Sequence, residues 1–127
     1  MQNIIVAVDG SPHSLKGVAE AGRIAEALKA RVRLAYVLPP ILLAEAVYAD
    51  TIKKIDAGNR AQADEIFTQA RAALSPKVEV DAVMLNGAAA EAIADFASGP
   101  DVWGVVIGAK GHSAMSRDRK STTSELQ

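Results

Sequence analysis

Two short runs of uninterrupted apolar residues, Ile4-Ile5-Val6-Ala7-Val8 and Val102-Trp103-Gly104-Val105-Val106-Ile107, constrain this chain more than any other feature. A strand with one wet face alternates apolar and polar residues. A strand buried on both faces does not, and that is the signature of a parallel sheet covered by helices on each side. Each run ends in turn residues: Asp9-Gly10-Ser11-Pro12 after the first and Gly108-Ala109-Lys110-Gly111 after the last.

Between these runs the periodicity changes. Ser11 is suited to cap a helix and Pro12 to occupy its first position. Leu15, Val18, Ala21, Ala25 and Leu28 then recur at spacings of three and four, one face of a helix. Residues 32–38 form a second strand, stopped by Pro39-Pro40, which cannot donate to a ladder. Leu42, Leu43, Ala46 and Val47 suggest helix over residues 41–57, Gly58-Asn59 a break, and Ile66, Phe67, Ala70, Ala73 and Leu74 the inner face of a helix over residues 61–74. Residues 78–85 read as a third strand with Val78, Val80 and Ala82 on one side and Glu79 and Asp81 on the other. Asn86-Gly87 turns the chain into an Ala-rich helix over residues 88–97, with Ile93 and Phe96 inward, and Gly99-Pro100-Asp101 leads to the fourth strand.

The expected fold is therefore α/β, a doubly wound and mostly parallel sheet in the order β-α-β-α-β-α-β, with the whole chain, residues 1–127, as one domain. Residues 112–127 show no buried-strand run, so a fifth strand is not evident; Thr122 and Glu125 have capping-box spacing for a short helix. Half of the residues are hydrophobic but only 4% are aromatic, so the core must be aliphatic. Fourteen basic residues against fifteen acidic leave a net charge of −1, which argues against a nucleic-acid or membrane-surface partner. Without cysteine, disulfides, thiol catalysis and Cys-type zinc sites are excluded, and His13 and His112 are too few for a histidine metal cluster. The start of the chain lacks the pattern of a signal peptide and no apolar run could span a bilayer, so a cytoplasmic location is expected.

In doubly wound sheets ligands bind beyond the carboxyl ends of the strands, where the strand order reverses. Three segments belong there: Asp9-Gly10-Ser11, Val37-Leu38-Pro39 and residues 108–111. Gly108 and Gly111 permit positive φ and close backbone approach, and successive N–H groups in such a turn can cradle an anion; the same glycines can also merely shape a strand-to-loop turn. The Asp9 carboxylate can accept hydrogen bonds from ribose hydroxyls or adenine, or can serve the Asp-Gly turn. Lys110, Arg117, Arg119 and Lys120 put positive charge near a phosphate position, or form a solvated basic loop; Trp103 is expected to pack in the core.

Taken together, Ile4-Ile5-Val6-Ala7-Val8-Asp9-Gly10-Ser11, Ala35-Tyr36-Val37, Asn86-Gly87 with Glu91-Ala92-Ile93, and Val105-Val106-Ile107-Gly108-Ala109-Lys110-Gly111-His112-Ser113 resemble the universal stress proteins of the UspA superfamily, in order and spacing, from residue 1 to about residue 116. The resemblance implies an adenine nucleotide alpha hydrolase-like fold and, in the ATP-binding members, a signature Gly-x2-Gly-x9-Gly-(Ser/Thr). Gly108 and Gly111 match its first half. Its last glycine is replaced here by Ser121, while the hydroxyl residue is kept as Thr122; a loop one residue shorter would place Lys120-Ser121 there instead. By the same resemblance Asp9 bonds the ribose or adenine, Val37 offers main-chain groups to the adenine edge, Ala7 and Ile107 line the apolar wall, and Lys110, Ser121 and Thr122 belong to the phosphate end. The implied cofactor is ATP with Mg²⁺, and the implied partner a second copy of the chain, as homodimer or higher self-association. Members usually continue into a further helix and a fifth strand, for which the apolar pattern is missing in residues 117–127. The alternative is a member without nucleotide that acts through dimerisation and protein contacts. No enzyme is expected beyond slow incidental ATP hydrolysis: the chain has no Gly-x4-Gly-Lys-(Ser/Thr) P-loop, no Gly-x-Ser-x-Gly elbow, and no evident activated nucleophile, so no residue is assigned a catalytic role and none a metal-ligating one.

Overall fold

The computed structural model describes residues 1–41, 49–109 and 112–116, with side chains described as far as residue 107. Four parallel strands form the body of the sheet: β1 (Asn3–Ala7), β2 (Arg31–Val37), β3 (Val80–Leu85) and β4 (Val102–Ala109). They are joined by α1 (Pro12–Leu28), α2 (Ala49–Ala72) and α3 (Ala89–Phe96). A short β5 (His112–Ser116) follows, and the five-stranded order is β3-β2-β1-β4-β5. The order reverses direction at β1: the chain first moves outward to β2 and β3, then crosses back to β4. Crossovers of one hand therefore put α1 and α2 on one face and α3 on the other.

The side chains follow that division. Ile4 and Val6 of β1, Val32, Leu34 and Tyr36 of β2 and Val106 of β4 pack with Val18, Ala21 and Ala25 of α1 and Ala63, Ile66, Phe67 and Ala70 of α2. Ile5, Ala35 and Val105 face the other way, onto Ile93 and Ala97, with Ala7, Val37, Phe96 and Ile107 packed alongside. In β4 the alternation is reset by an irregularity. Asn3 pairs with Val102 but Ile4 pairs with Gly104, so Trp103 is an extra residue. The insertion sends Trp103 to the first face and Val102, Val105 and Ile107 to the second, which is what brings Ile107 to the same side as Ala7 and Val37.

Capping of α1 agrees with the sequence. Ser11 is extended (φ −77°, ψ 158°), its hydroxyl accepts the Ser14 N–H, and Pro12 opens the helix. Four expectations need correction. Ala73, expected inward, is exposed just past the end of α2. Gly58-Asn59 does not break the chain, because α2 runs continuously from Ala49 to Ala72; residues 42–48 lie outside the described residues. Leu28 is 47% exposed at the end of α1, where the small residues Gly17, Ala21 and Gly22 make the inner face instead. Finally, residues 112–116 do form a strand. β5 runs antiparallel to β4, with Ala109 opposite His112 and Val105 opposite Ser116. A strand at the edge of the described sheet can form without the continuous apolar run that a central strand shows. No helix among the described residues is long and apolar enough to cross a membrane.

Candidate functional site

The reversal at β1 opens a crevice at the carboxyl ends of the strands. β1 and β2 continue their ladder briefly past their ends: the Val8 N–H donates to the Ala35 carbonyl (2.9 Å) and the Leu38 N–H to Leu85 (2.8 Å). Asp9 then turns the chain. One of its carboxylate oxygens accepts the Ser11 N–H at 2.9 Å, leaving the other free to take a further donor. Gly10 adopts φ +84°, which favours glycine, and a Cβ there would stand 3.2 Å from Ile66 Cγ1 of α2, so that side chain would have to give slightly. The turn-forming role considered for Asp9 is thus present, and it points the residue at the crevice rather than competing with a ligand role.

A cavity of about 200 Å³ sits between the ends of β1, β2 and β4 and the first turns of α3. Ala7, Asp9, Val37 and Ile107, four residues singled out from the sequence, all line it. Val8, Ala35 and Tyr36 complete the strand side, and Ala89 and Ile93 form the α3 side. The lining is mainly apolar, with the exposed carboxylate of Asp9 at its edge. Such a slot suits a flat, aromatic ligand whose polar end reaches the rim.

Val8, Ala35 and Tyr36 were not singled out for this wall from the sequence, and neither were Ala89 and Ile93 of α3. Two signals were present: their spacing of four, and the rule that a return crossover lies on the opposite face. A second, more polar cavity of about 250 Å³ shares Asp9 and Gly10 and is otherwise lined by Gln62, Glu65, Ile66 and Gln69 of α2. A larger one of about 360 Å³ lies at the opposite end of the sheet, among Met1, Lys29, Lys77 and Glu79. Size does not decide between them. Parallel α/β sheets bind ligands at the carboxyl end of the switch point; both cavities beside Asp9 stand at that end, and of the two the one that reaches Ile107 lies between β1 and β4, where the strand order reverses.

The phosphate end is described in part. Gly108 and Ala109 belong to β4 itself, whose pairing with β1 stops at Ile107. β4 thus runs past its partner at the crevice. The expected loop leading on to a helix is corrected for the part that is described: the chain returns as β5, with Gly108 opposite Ser113. Lys110, Gly111, Ser121 and Thr122 lie outside the described residues, as do Arg117, Arg119 and Lys120. Trp103 packs against the first-face core, as expected of it.

Known proteins share this architecture. The chain is similar to the universal stress protein UspA from Lactobacillus plantarum, at 25% identity over 97% of this chain and 88% of that one, with a TM-score of 0.70. A universal stress protein in complex with cAMP matches at 30% identity over 76% of this chain and 68% of the other, with a TM-score of 0.52. A universal stress protein from Archaeoglobus fulgidus matches at 20% identity over 84% and 75%, TM-score 0.61, which supports the fold alone. No curated protein matches the chain. The model of the universal stress protein family matches residues 1–125, nearly the full sequence whose strand ends build this crevice, and the chain belongs to that family.

Proposed function

We propose that the protein is a nucleotide-binding regulatory module that takes ATP, with Mg²⁺ on its phosphates, across the carboxyl ends of β1, β2 and β4. The observation that carries this reading is the convergence of Ala7, Asp9, Val37 and Ile107 on one cavity. The residues present fit an adenine nucleoside. Ala7, Ala35, Val37, Ile93 and Ile107 offer an apolar slot for the base, and the main chain of Val37, at the end of its strand, offers polar groups to the adenine edge. Asp9 accepts hydrogen bonds from the ribose hydroxyls, and the ladder end at Gly108 is where phosphates meet main-chain N–H groups. A relative bound to cAMP, which carries the same base and ribose, supports an adenine nucleotide. Binding would be read out through conformation or self-association in the cytoplasm, with at most slow incidental turnover of ATP.

A second reading has an observation of its own. Ser121 stands where the signature has glycine, and the chain after Gly108 returns as an antiparallel strand. Both favour a member that works without nucleotide, through subunit contacts at its sheet edges. One experiment separates the two. The purified protein is denatured and its supernatant analysed for nucleotide; the emptied protein is then titrated with Mg-ATP by calorimetry. Retained nucleotide or saturable binding is expected, with Asp9→Asn, which keeps an oxygen for the Ser11 turn, binding about tenfold more weakly. No retained nucleotide and no binding at millimolar ATP overturns the first reading. A strictly monomeric sedimentation profile overturns the second.

A further inference from the structure

Two polar side chains are buried among the described residues, Asn3 at 7% exposure and Ser14 at 1%. Asn3 is satisfied, since its Oδ1 accepts the Arg31 Nε–H at 2.9 Å. Ser14 is not: its hydroxyl has no hydrogen-bond partner among the described residues. Serine inside a helix ordinarily bonds back to the carbonyl four residues earlier, or points to water. Ser14 does neither. An unsatisfied buried hydroxyl is destabilising, and alanine would fit the same stripe of small residues, Gly17, Ala21, Gly22 and Ala25, without that cost.

The place of the hydroxyl gives it a use. Ser14 lies in the first turn of α1, on the helix face buried against the sheet, and α1 packs on β1, β4 and β5. The first turn stands at the carboxyl ends of the strands, where β4 runs past the last β1 pair as Gly108-Ala109. α1 covers one face of the sheet there, and the slot lined by Ala89 and Ile93 opens on the other. In a trans peptide unit the carbonyl and the N–H point in opposite directions. Gly108 and Ala109 are paired in the plane of the sheet with Ser113 and His112, so a carbonyl there can be drawn toward α1 only as that pairing opens, and its N–H then turns toward the crevice.

Building on the nucleotide reading, we propose that Ser14 is a positioning residue for the phosphate end. Its hydroxyl donates to a main-chain carbonyl of Gly108-Ala109 in the nucleotide-bound protein, so that an N–H of that segment faces the phosphates. The site gains a residue that never touches the ligand.

The test compares Ser14→Ala with the unaltered protein, using Mg-ATP and adenosine as probes in calorimetry and urea unfolding without ligand as the control. Ser14→Ala is expected to be at least as stable as the unaltered chain, to bind adenosine equally well, and to bind Mg-ATP about tenfold more weakly, the value of roughly one hydrogen bond. Ser14→Thr, which keeps the hydroxyl, is expected to recover part of the loss. Equal binding of Mg-ATP by Ser14→Ala and the unaltered protein overturns the proposal, as does an equal loss for adenosine and Mg-ATP. If the unaltered protein binds neither probe, the nucleotide reading itself falls and this proposal with it.

Discussion

The two faces of the sheet are built on different scales. On one, helices of 17 and 24 residues lie over the strands and enclose a continuous aliphatic cluster closed by the edge-to-face contact of Tyr36 and Phe67, 6.4 Å between ring centroids. On the other, a single eight-residue helix, α3, covers the described surface, with Ile93 as its buried residue and Ala97, at its C-cap, buried beside it. α3 has no side-chain cap, and Ala88 supplies none at its N-cap. A thick face carries much of the burial that drives folding, whereas a thin one leaves room for a ligand slot between helix and strand ends. The division of labour is thus set by crossover length: α2 can span the sheet with four buried residues, and α3 cannot.

The largest effect should come from the thick face. Phe67 is 4% exposed, and Phe67→Ala removes most of a ring from the cluster, so a loss of about 3–5 kcal/mol in unfolding free energy is expected. Whatever fraction remains folded should bind nucleotide normally, because Phe67 lines neither cavity beside Asp9. Urea unfolding and calorimetry on the same samples check both halves. A variant that lost affinity along with stability would break the comparison.

Ile93→Ala reverses the pattern. Ile93 is 8% exposed and lines the slot, so about 2–3 kcal/mol of stability should go, with a clear fall in affinity for adenosine as well as ATP. A smaller effect is expected at Arg33, which ties α3 to the sheet. Its guanidinium lies 4.7 Å from the Phe96 ring centroid, and its Nε donates to both Asp81 oxygens, at 3.1 and 3.3 Å. Both contacts are partly solvated, so Arg33→Ala should cost only about 1 kcal/mol. Arg33→Lys, which keeps the charge but loses the planar stacking, should cost about half of that. Differential scanning calorimetry at low and at high salt separates the two contributions, since only the Asp81 pair is screened strongly.

The same contrast explains what could be read from the sequence. The parallel core was legible because Ile4, Ile5, Val6, Val105 and Val106 are buried from both sides, and that condition leaves an apolar run with no gaps. The Asp9 and Val37 segments were legible because they sit at strand ends, where the turn residues mark the boundary, whereas Ala7 and Ile107 were reached only through the family resemblance. β5 was not, since an edge strand has no need of such a run, and Arg33–Phe96 was not, since it joins elements 63 positions apart that no local pattern links. Ser14 was hidden for a different reason: a serine three residues after a helix cap is ordinary in sequence, and only burial makes it an anomaly.

The misread break in α2 leads to the smallest effect. Gly58 followed by Asn59 has the composition of a turn, yet α2 passes through both. The reason lies downstream: Ala63, Ile66, Phe67 and Ala70 hold one helix face against the sheet, and the exposed turns before them follow at the modest cost of one glycine. Gly58 is exposed, and a Cβ placed on it would meet nothing within 4 Å. Gly58→Ala should therefore stabilise the protein by about 0.5–1 kcal/mol, through helix propensity alone. Gly10→Ala, by contrast, should destabilise it, because there the backbone is at φ +84° and Ile66 crowds the new methyl. If Gly58→Ala proved destabilising instead, α2 would need its flexibility at residue 58, and the thick face would be two helical segments in function even though it is one in form.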